Sequence, residues 1–146
     1  MSGPILIVGG GPAGLEAARV ASLRGHEVIL CEKTAQLGGT LRFAALVYEP
    51  NERLLDWLEG QVRQLAIQLR LNTEVTVDVV REISPDEILV AVGASRAKPV
   101  VRGVNLSHVF DGDDLRALLT GQDDRDAAQK LSLLERIAVR AGRATG

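Results

Sequence analysis

The sequence predicts an α/β fold, a parallel sheet with helices on both faces, from three observations. Hydrophobic residues make up 46% of the 146 residues but aromatic residues only 3%, so the core must be aliphatic. Short apolar runs at 5–8, 28–31 and 88–92 suit strands that are buried on both faces. Stretches with apolar residues three or four apart lie between these runs, and such alternation is typical of parallel sheets.

The first thirty residues predict a strand, a helix and a second strand. The run 5–8 ends at three consecutive glycines, and a helical pattern begins at Pro12. Gly25 follows this pattern where a left-handed helix cap is expected, and the run 28–31 comes next. This is the length of one right-handed crossover unit.

Further elements follow along the chain. Asn51 is expected to cap a long helix whose apolar stripe faces the sheet and contains Leu54, Leu58, Val62 and Leu65. Alternation over 67–71 predicts an edge strand, 77–83 a short helix and 88–92 a buried strand that stops at Gly93.

The last third of the chain has weaker patterns. A short strand is expected at 108–110, and Asp111 is expected to cap a helix that has Asp113 and Asp114 in its first turn. This capping role is favoured over a divalent-metal site, because no EF-hand spacing follows. We expect one dinucleotide-binding domain over 1–121, then a linker and an amphipathic helix over 122–146 with Leu131, Leu134 and Ala138 on one face.

Composition excludes several classes of function. The net charge of −2 gives no reason to expect a nucleic-acid partner. Cys31 is the single cysteine, which excludes an internal disulfide, a CxxC pair and a cysteine-held cluster, and favours the cytoplasm. Glycines break the first apolar run far short of a membrane span, and no charged leader precedes it. His26 and His108 lack a catalytic partner at recognisable spacing, so no catalytic residue is assigned.

The pattern G-x-G-x-x-G falls on Gly9, Gly11 and Gly14. The first glycine allows a tight turn from strand to helix, the second lets the backbone approach a pyrophosphate, and the third permits close packing of the helix on the strand. The helix that begins at Pro12 or Ala13 directs its free N–H groups at the phosphates. These features predict a Rossmann-like dinucleotide site.

Glu32 ends the second strand, eighteen residues after Gly14. A carboxylate there accepts hydrogen bonds from ribose hydroxyls and repels a 2′-phosphate, which favours FAD or NAD over NADP. The residues alone leave the choice between FAD and NAD open. The plainer interpretation is that the glycines only form a turn and Glu32 is solvated.

Several stretches carry a resemblance to a known family: GGGPAGLEAAR, EVILCEK, AQLGGTLRFA, NTEVTV and DEILVAVGA. Together they resemble the FAD-binding half of the two-dinucleotide-domain flavoproteins. Within these, the chain is most similar to the C-terminal region of the old-yellow-enzyme-like NADH:flavin oxidoreductases, the group of bacterial 2,4-dienoyl-CoA reductase and trimethylamine dehydrogenase. The similarity runs from about Ile5 to Gly121.

The resemblance implies FAD as the cofactor and assigns contacts to it. Gly11, Pro12 and Ala13 would meet the pyrophosphate, and Glu32 the adenosine ribose with Lys33 beside it. The diphosphate and ribityl chain would be lined by Gly39, Thr40, Leu41 and Arg42, with Arg42 the cation for a phosphate oxygen. The backbone of Val75 would meet the adenine, and the strand end that passes close to the cofactor would be Ala91, Val92 and Gly93.

One position departs from the family. The usual Ala-Thr-Gly is Ala-Val-Gly here, and the hydroxyl missing at Val92 removes a hydrogen bond of about 0.5 to 1.5 kcal/mol. The family also has an FMN-bearing barrel, an iron–sulfur cluster and an NAD(P)H-binding domain, which are not expected in this chain.

The resulting hypothesis is an FAD-binding domain or subunit of an FAD-dependent NAD(P)H oxidoreductase, which holds the flavin through its ADP moiety. Catalysis by this chain alone is not expected, and a protein partner or missing domains would supply the NAD(P)H and substrate sites. Two alternatives stay open: an NAD-binding dehydrogenase domain, and a non-catalytic subunit that binds ADP or FAD.

Overall fold

The computed structural model describes residues 3–94, 97, 100–106 and 108–120. The elements are, in chain order, β1 (Ile5–Val8), α1 (Pro12–Leu23), β2 (Val28–Cys31), α2 (Thr40–Ala45), α3 (Glu49–Gln64), β3 (Ile67–Arg70), α4 (Val77–Ile83), β4 (Glu87–Val90) and α5 (Gly112–Thr120). The four strands form one parallel sheet in the order β3-β2-β1-β4. The predicted Rossmann-like α/β architecture is therefore confirmed.

Internal contacts divide the chain into two units, Met1–Ala94 and Ser95–Gly146. The sheet and α1 to α4 belong to the first unit, and α5 belongs to the second. The expected domain boundary after residue 121 stays a prediction. The linker and tail helix expected over 122–146 lie outside the described residues.

One face of the sheet is covered by α1 and α3. Ile7 and Leu30 point to this face and pack with Leu15 of α1 and with Leu58 and Val62 of α3. Because all five side chains are at most 4% exposed, they form the main core of the first unit.

The opposite face has a smaller core. Leu6, Ile29 and Cys31 are buried there, and Val80 and Ile83 of α4 pack against them. Helices therefore lie on both faces, as the sequence predicts. β3 is an edge strand of the described sheet, which confirms the interpretation of its alternating pattern.

The start of α3 corrects one prediction. The helix begins at Glu49, not after a cap at Asn51, because Pro50 and an acidic side chain suit a first helical turn. The Asn51 N–H donates to the Tyr48 carbonyl, inside that turn. The stripe is also shifted: Leu54 is 45% exposed, whereas Leu55 is buried with Leu58 and Val62.

Two predicted strands differ from the structure. β4 ends at Val90, before the expected 92, and its four residues are exposed because neither described core cluster extends over this edge strand. No strand forms at 108–110: the Val109 N–H donates to the Leu106 carbonyl in a turn. The capping role of Asp111 is confirmed, since its Oδ1 accepts the N–H groups of Asp113 and Asp114.

Candidate functional site

The glycine turn lies where β1 ends and α1 begins. Gly9 has φ +107°, and a Cβ built on it would lie 2.5 Å from the Ala91 carbonyl oxygen. A Cβ on Gly14 would lie 1.8 Å from the Gly9 carbonyl oxygen. Both positions therefore exclude any side chain, for the reasons that the sequence predicts: a tight turn and a close helix.

Gly11 differs from its neighbours. It is the N-cap of α1, with an extended backbone that any residue adopts, and no residue beyond its neighbours along the chain has an atom within 4 Å of the position of its missing Cβ. Pro12 and Ala13, the first residues of the helix, are exposed, and the first turn contains no acidic side chain. The positive end of the helix dipole is therefore open to an anion at this point.

Gly10 is a site residue that the sequence reasoning missed. A Cβ there would lie 2.5 Å from Leu37 Cδ2 and 3.1 Å from Glu32 Cβ, and the Gly10 carbonyl accepts the Gly38 N–H at 2.7 Å. The unbroken run of three glycines was the available indication, because the fingerprint needs only the first and the third of them. The segment that follows β2 therefore packs against the glycine turn at Gly10.

Glu32 is directed into the site and not toward bulk solvent. The residue is 9% exposed. Its Oε2 accepts the Gly10 N–H at 2.7 Å, and its Oε1 accepts the N–H of Thr34 at 2.8 Å and the Thr34 hydroxyl at 2.9 Å. The solvated Glu32 of the plainer interpretation is therefore wrong: the carboxylate connects the end of β2 to the glycine turn.

A second glycine pair closes the same site. Gly38 and Gly39 have φ of +100° and +50°, values that favour glycine. A Cβ on Gly38 would lie 2.6 Å from Leu55 Cδ1, and one on Gly39 would lie 3.3 Å from Gly11 Cα. The pair therefore lies against the glycine turn, and Gly39 and Gly11 face each other at the helix N-terminus.

The residues after Gly39 form α2, a helix that the sequence reasoning did not predict. Thr40 is exposed at its start, and Leu41 packs against the main core. Arg42 Nε donates to the Leu37 carbonyl at 2.9 Å, and its Nη2 pairs with Glu59 at 2.5 Å. Glu59 also pairs with Arg63 at 3.1 Å.

The remaining predicted site residues lie on both sides of the turn. Ala91 directly follows β4, donates its N–H to the Val8 carbonyl and touches the turn through its own carbonyl. Val92 is 67% exposed and Gly93 has φ +76°. Lys33 is exposed next to Glu32, whereas the Val75 side chain packs into the smaller core.

The one cysteine, Cys31, lies next to the site in a buried strand. Burial raises the pKa of the Cys31 thiol, and the nearby Arg70 only partly opposes this effect. A thiol with a raised pKa is a poor nucleophile, so Cys31 is a core residue, as predicted. Over the part of the chain that the structure describes, no three His, Cys, Asp or Glu side chains form a possible metal site. No helix within that part is long and apolar enough to cross a membrane.

Comparison with known proteins identifies the family of this site. Residues 4–104 match the family model described as FAD dependent oxidoreductase. The chain belongs to this family. The predicted resemblance is thereby confirmed, and so is the hypothesis of an FAD-binding domain of an FAD-dependent oxidoreductase, with FAD as its cofactor.

Individual relatives agree with this assignment. The chain is 40% identical over 109 residues to the bilirubin reductase of Mediterraneibacter gnavus, which covers 73% of this chain and 17% of the relative. It is 37% identical over 113 residues to the cinnamate reductase of Clostridium sporogenes, over 76% of this chain and 17% of the relative. A solved 2-naphthoyl-CoA reductase complex superposes with a TM-score of 0.73 at 28% identity, over 97% of this chain and 22% of that one.

The chain is much shorter than these relatives. The chain spans 17% of each of the two curated relatives. The matched region is therefore one part of much larger reductases.

Proposed function

We propose that the chain holds FAD through its ADP half in a cleft formed by four segments: 9–14, 32–34, 38–39 and 91–93. This cleft is called the glycine cleft below. The observation that carries the proposal is the pairing of an open helix N-terminus at Gly11 with the buried carboxylate of Glu32 on the adjacent strand end. The open helix N-terminus suits a diphosphate, and the carboxylate suits the hydroxyls of an adenosine ribose.

The diphosphate would lie against the first turn of α1. Pro12 has no N–H, so the donors of that turn are the backbone amides of Gly11, Ala13 and Gly14. The open space beside Gly11 leaves room for phosphate oxygens at the backbone. Gly10 is excluded as a donor while its N–H is bonded to Glu32.

The ribose would lie at Glu32. A carboxylate has about four acceptor positions, and the protein occupies three of them here. A ribose hydroxyl can therefore be accepted without displacing Thr34 or Gly10. Lys33 lies beside this position, and the backbone of Val75, which follows β3, is the proposed neighbour of the adenine.

Arg42 would serve a phosphate oxygen by leaving Glu59. This exchange is inexpensive, because Arg63 stays paired with Glu59 when Arg42 moves. Gly39, Thr40 and Leu41 would follow the cofactor with their backbone, since the side chain of Leu41 packs in the core. Ala91, Val92 and Gly93 would pass close to the cofactor from the β4 side.

The isoalloxazine ring, when FAD is bound, supplies the electron-transfer chemistry. The described residues of this chain bind and orient the cofactor, and we propose that other domains or a partner protein provide the NAD(P)H and substrate sites. The much longer relatives support this division. We also propose a dinucleotide-binding domain over 1–121 and a cytoplasmic location, as the sequence predicts.

Titration of the purified protein with FAD and with NADH tests the function. We expect added FAD to bind, with quenching of its flavin fluorescence. We also expect the purified protein to show the absorbance band of copurified FAD. Submicromolar NADH binding without any response to FAD would favour the dehydrogenase alternative. Binding of neither would refute the proposal.

A further inference from the structure

Thr34 is the residue that holds Glu32 in place. Its N–H and its hydroxyl both donate to Glu32 Oε1, at 2.8 and 2.9 Å. The backbone of Thr34 is fixed independently, because its carbonyl accepts the Asn72 N–H at 3.0 Å. The side-chain hydroxyl is thus the one contact in this group that a substitution can remove while the backbone stays.

The hydroxyl has a choice of acceptors. Thr34 Oγ also lies 2.8 Å from the Gln36 carbonyl oxygen, and a hydroxyl has a single proton to donate. A hydrogen bond to a carboxylate is roughly twice as strong as one between neutral groups, so the proton goes to Glu32. This bond fixes the rotation of the carboxylate, and the other oxygen then points at the Gly10 N–H.

We propose that Thr34 is a positioning residue for the adenosine ribose: its hydroxyl holds Glu32 Oε1 so that Oε2 is presented to a ribose hydroxyl beside Gly10. This inference rests on the proposed function, because it concerns the ribose contact of that same site. It adds a specificity determinant, since discrimination for the ribose 2′-hydroxyl depends on the side chain at position 34 as well as on Glu32.

The first test needs no cofactor. Amide hydrogen exchange of Gly10 is measured by NMR in the wild type, Thr34→Val and the conservative control Thr34→Ser. In Thr34→Val one of the two hydrogen bonds to Glu32 Oε1 is lost and only the one from the backbone N–H of residue 34 remains, so the bond from the Gly10 N–H to Oε2 should open more often. We expect Gly10 exchange at least about tenfold faster in Thr34→Val and within about threefold of wild type in Thr34→Ser. Thr34→Ala, with less bulk, replaces Thr34→Val if the valine prevents folding.

The second test measures discrimination. ADP and 2′-deoxy-ADP are titrated into the same variants. The wild type is expected to prefer ADP by about 10-fold or more, the worth of one hydrogen bond to a charged group, and Thr34→Ser to keep this ratio. In Thr34→Val the ratio should fall toward one, and in a Glu32→Ala background, where the acceptor of the Thr34 hydroxyl is absent, Thr34→Val should change the ratio no further.

The outcomes separate the two proposals. Normal ADP binding by the wild type, with Gly10 exchange and the ligand ratio unchanged in Thr34→Val, would overturn the role of Thr34 and leave the proposed function standing. A wild type that binds neither ADP nor FAD would overturn the proposed function, and this inference with it.

Discussion

Replacing Gly11 by alanine separates ligand approach from folding. No residue beyond the chain neighbours of Gly11 has an atom within 4 Å of the missing Cβ, and the backbone at Gly11, with φ −72° and ψ 178°, is allowed for alanine. The methyl group is thus expected to meet the cofactor and not the protein. Stability should change by less than about 1 kcal/mol, since the smaller freedom of alanine in the unfolded chain is offset by the lower preference for alanine at a helix N-cap.

The loss of affinity follows from the contact that the methyl group blocks. A diphosphate pushed away from the Gly11 backbone loses at least one hydrogen bond to a charged oxygen, worth about 1.5 to 3 kcal/mol. This corresponds to an increase in the Kd for FAD of about 10- to 150-fold. Isothermal titration calorimetry with FAD measures the Kd, and urea denaturation measures the free energy of unfolding.

Two other glycines serve as controls. Gly60→Ala lies within α3 with no atom near its Cβ, so it should raise stability by about 0.5 to 1 kcal/mol and leave the Kd unchanged. Gly14→Ala places a methyl group 1.8 Å from a carbonyl oxygen and should lower stability by about 3 kcal/mol or more. Wild-type affinity in a folded Gly11→Ala variant would refute the placement of the diphosphate.

Three further predictions concern the neighbouring side chains. Glu32→Ala should weaken FAD binding by about 1 to 2 kcal/mol in calorimetry, and an unchanged Kd would place the ribose elsewhere. Arg42→Met should weaken FAD binding in calorimetry, whereas Glu59→Gln should strengthen it, because Arg42 is then free to leave. An opposite or absent effect of Glu59→Gln would mean that Arg42 of the wild type stays paired with Glu59 when FAD binds. Burial raises the pKa of the Cys31 thiol above its usual range. The folded protein therefore keeps the thiol proton to higher pH than the unfolded chain does, and wild-type stability should fall as the pH rises above the usual thiol pKa of about 8.5. Stability from urea denaturation should fall less steeply with pH in Cys31→Ala, and equal slopes in the two proteins would contradict this cause.

Two of the strands were predictable from a few consecutive residues. β1 and β2 have the predicted bounds, because each is a short apolar run between strong turn residues. The exposure of β4 was not predictable in this way, since an apolar run indicates what a strand can bury and not what covers it. The same reasoning explains the error at Leu54 and Leu55, where tertiary contact with Gly38 selects the buried leucine.

The site was predictable to the extent that it depends on backbone conformation. Gly9 and Gly14 are confirmed as the positions of a tight turn and of close helix packing. Gly10 was missed because its need for glycine arises from Leu37 and Glu32, which are distant in sequence. The Arg42–Glu59 pair was missed for a similar reason: its partners belong to different helices.

The segments of the glycine cleft are held by main-chain hydrogen bonds to one another and to the ends of β1 and β2. The Gly9 N–H donates to the Cys31 carbonyl, the Gly38 N–H to the Gly10 carbonyl and the Ala91 N–H to the Val8 carbonyl. Because these bonds form as the sheet folds, the cleft has its shape before a cofactor arrives, and little ordering cost remains for binding. All the residues proposed to contact FAD lie between 9 and 93, within the first unit of the chain. We therefore propose that this unit binds the ADP half of the cofactor and that other domains or a partner protein supply the remaining parts needed for the chemistry at the flavin ring.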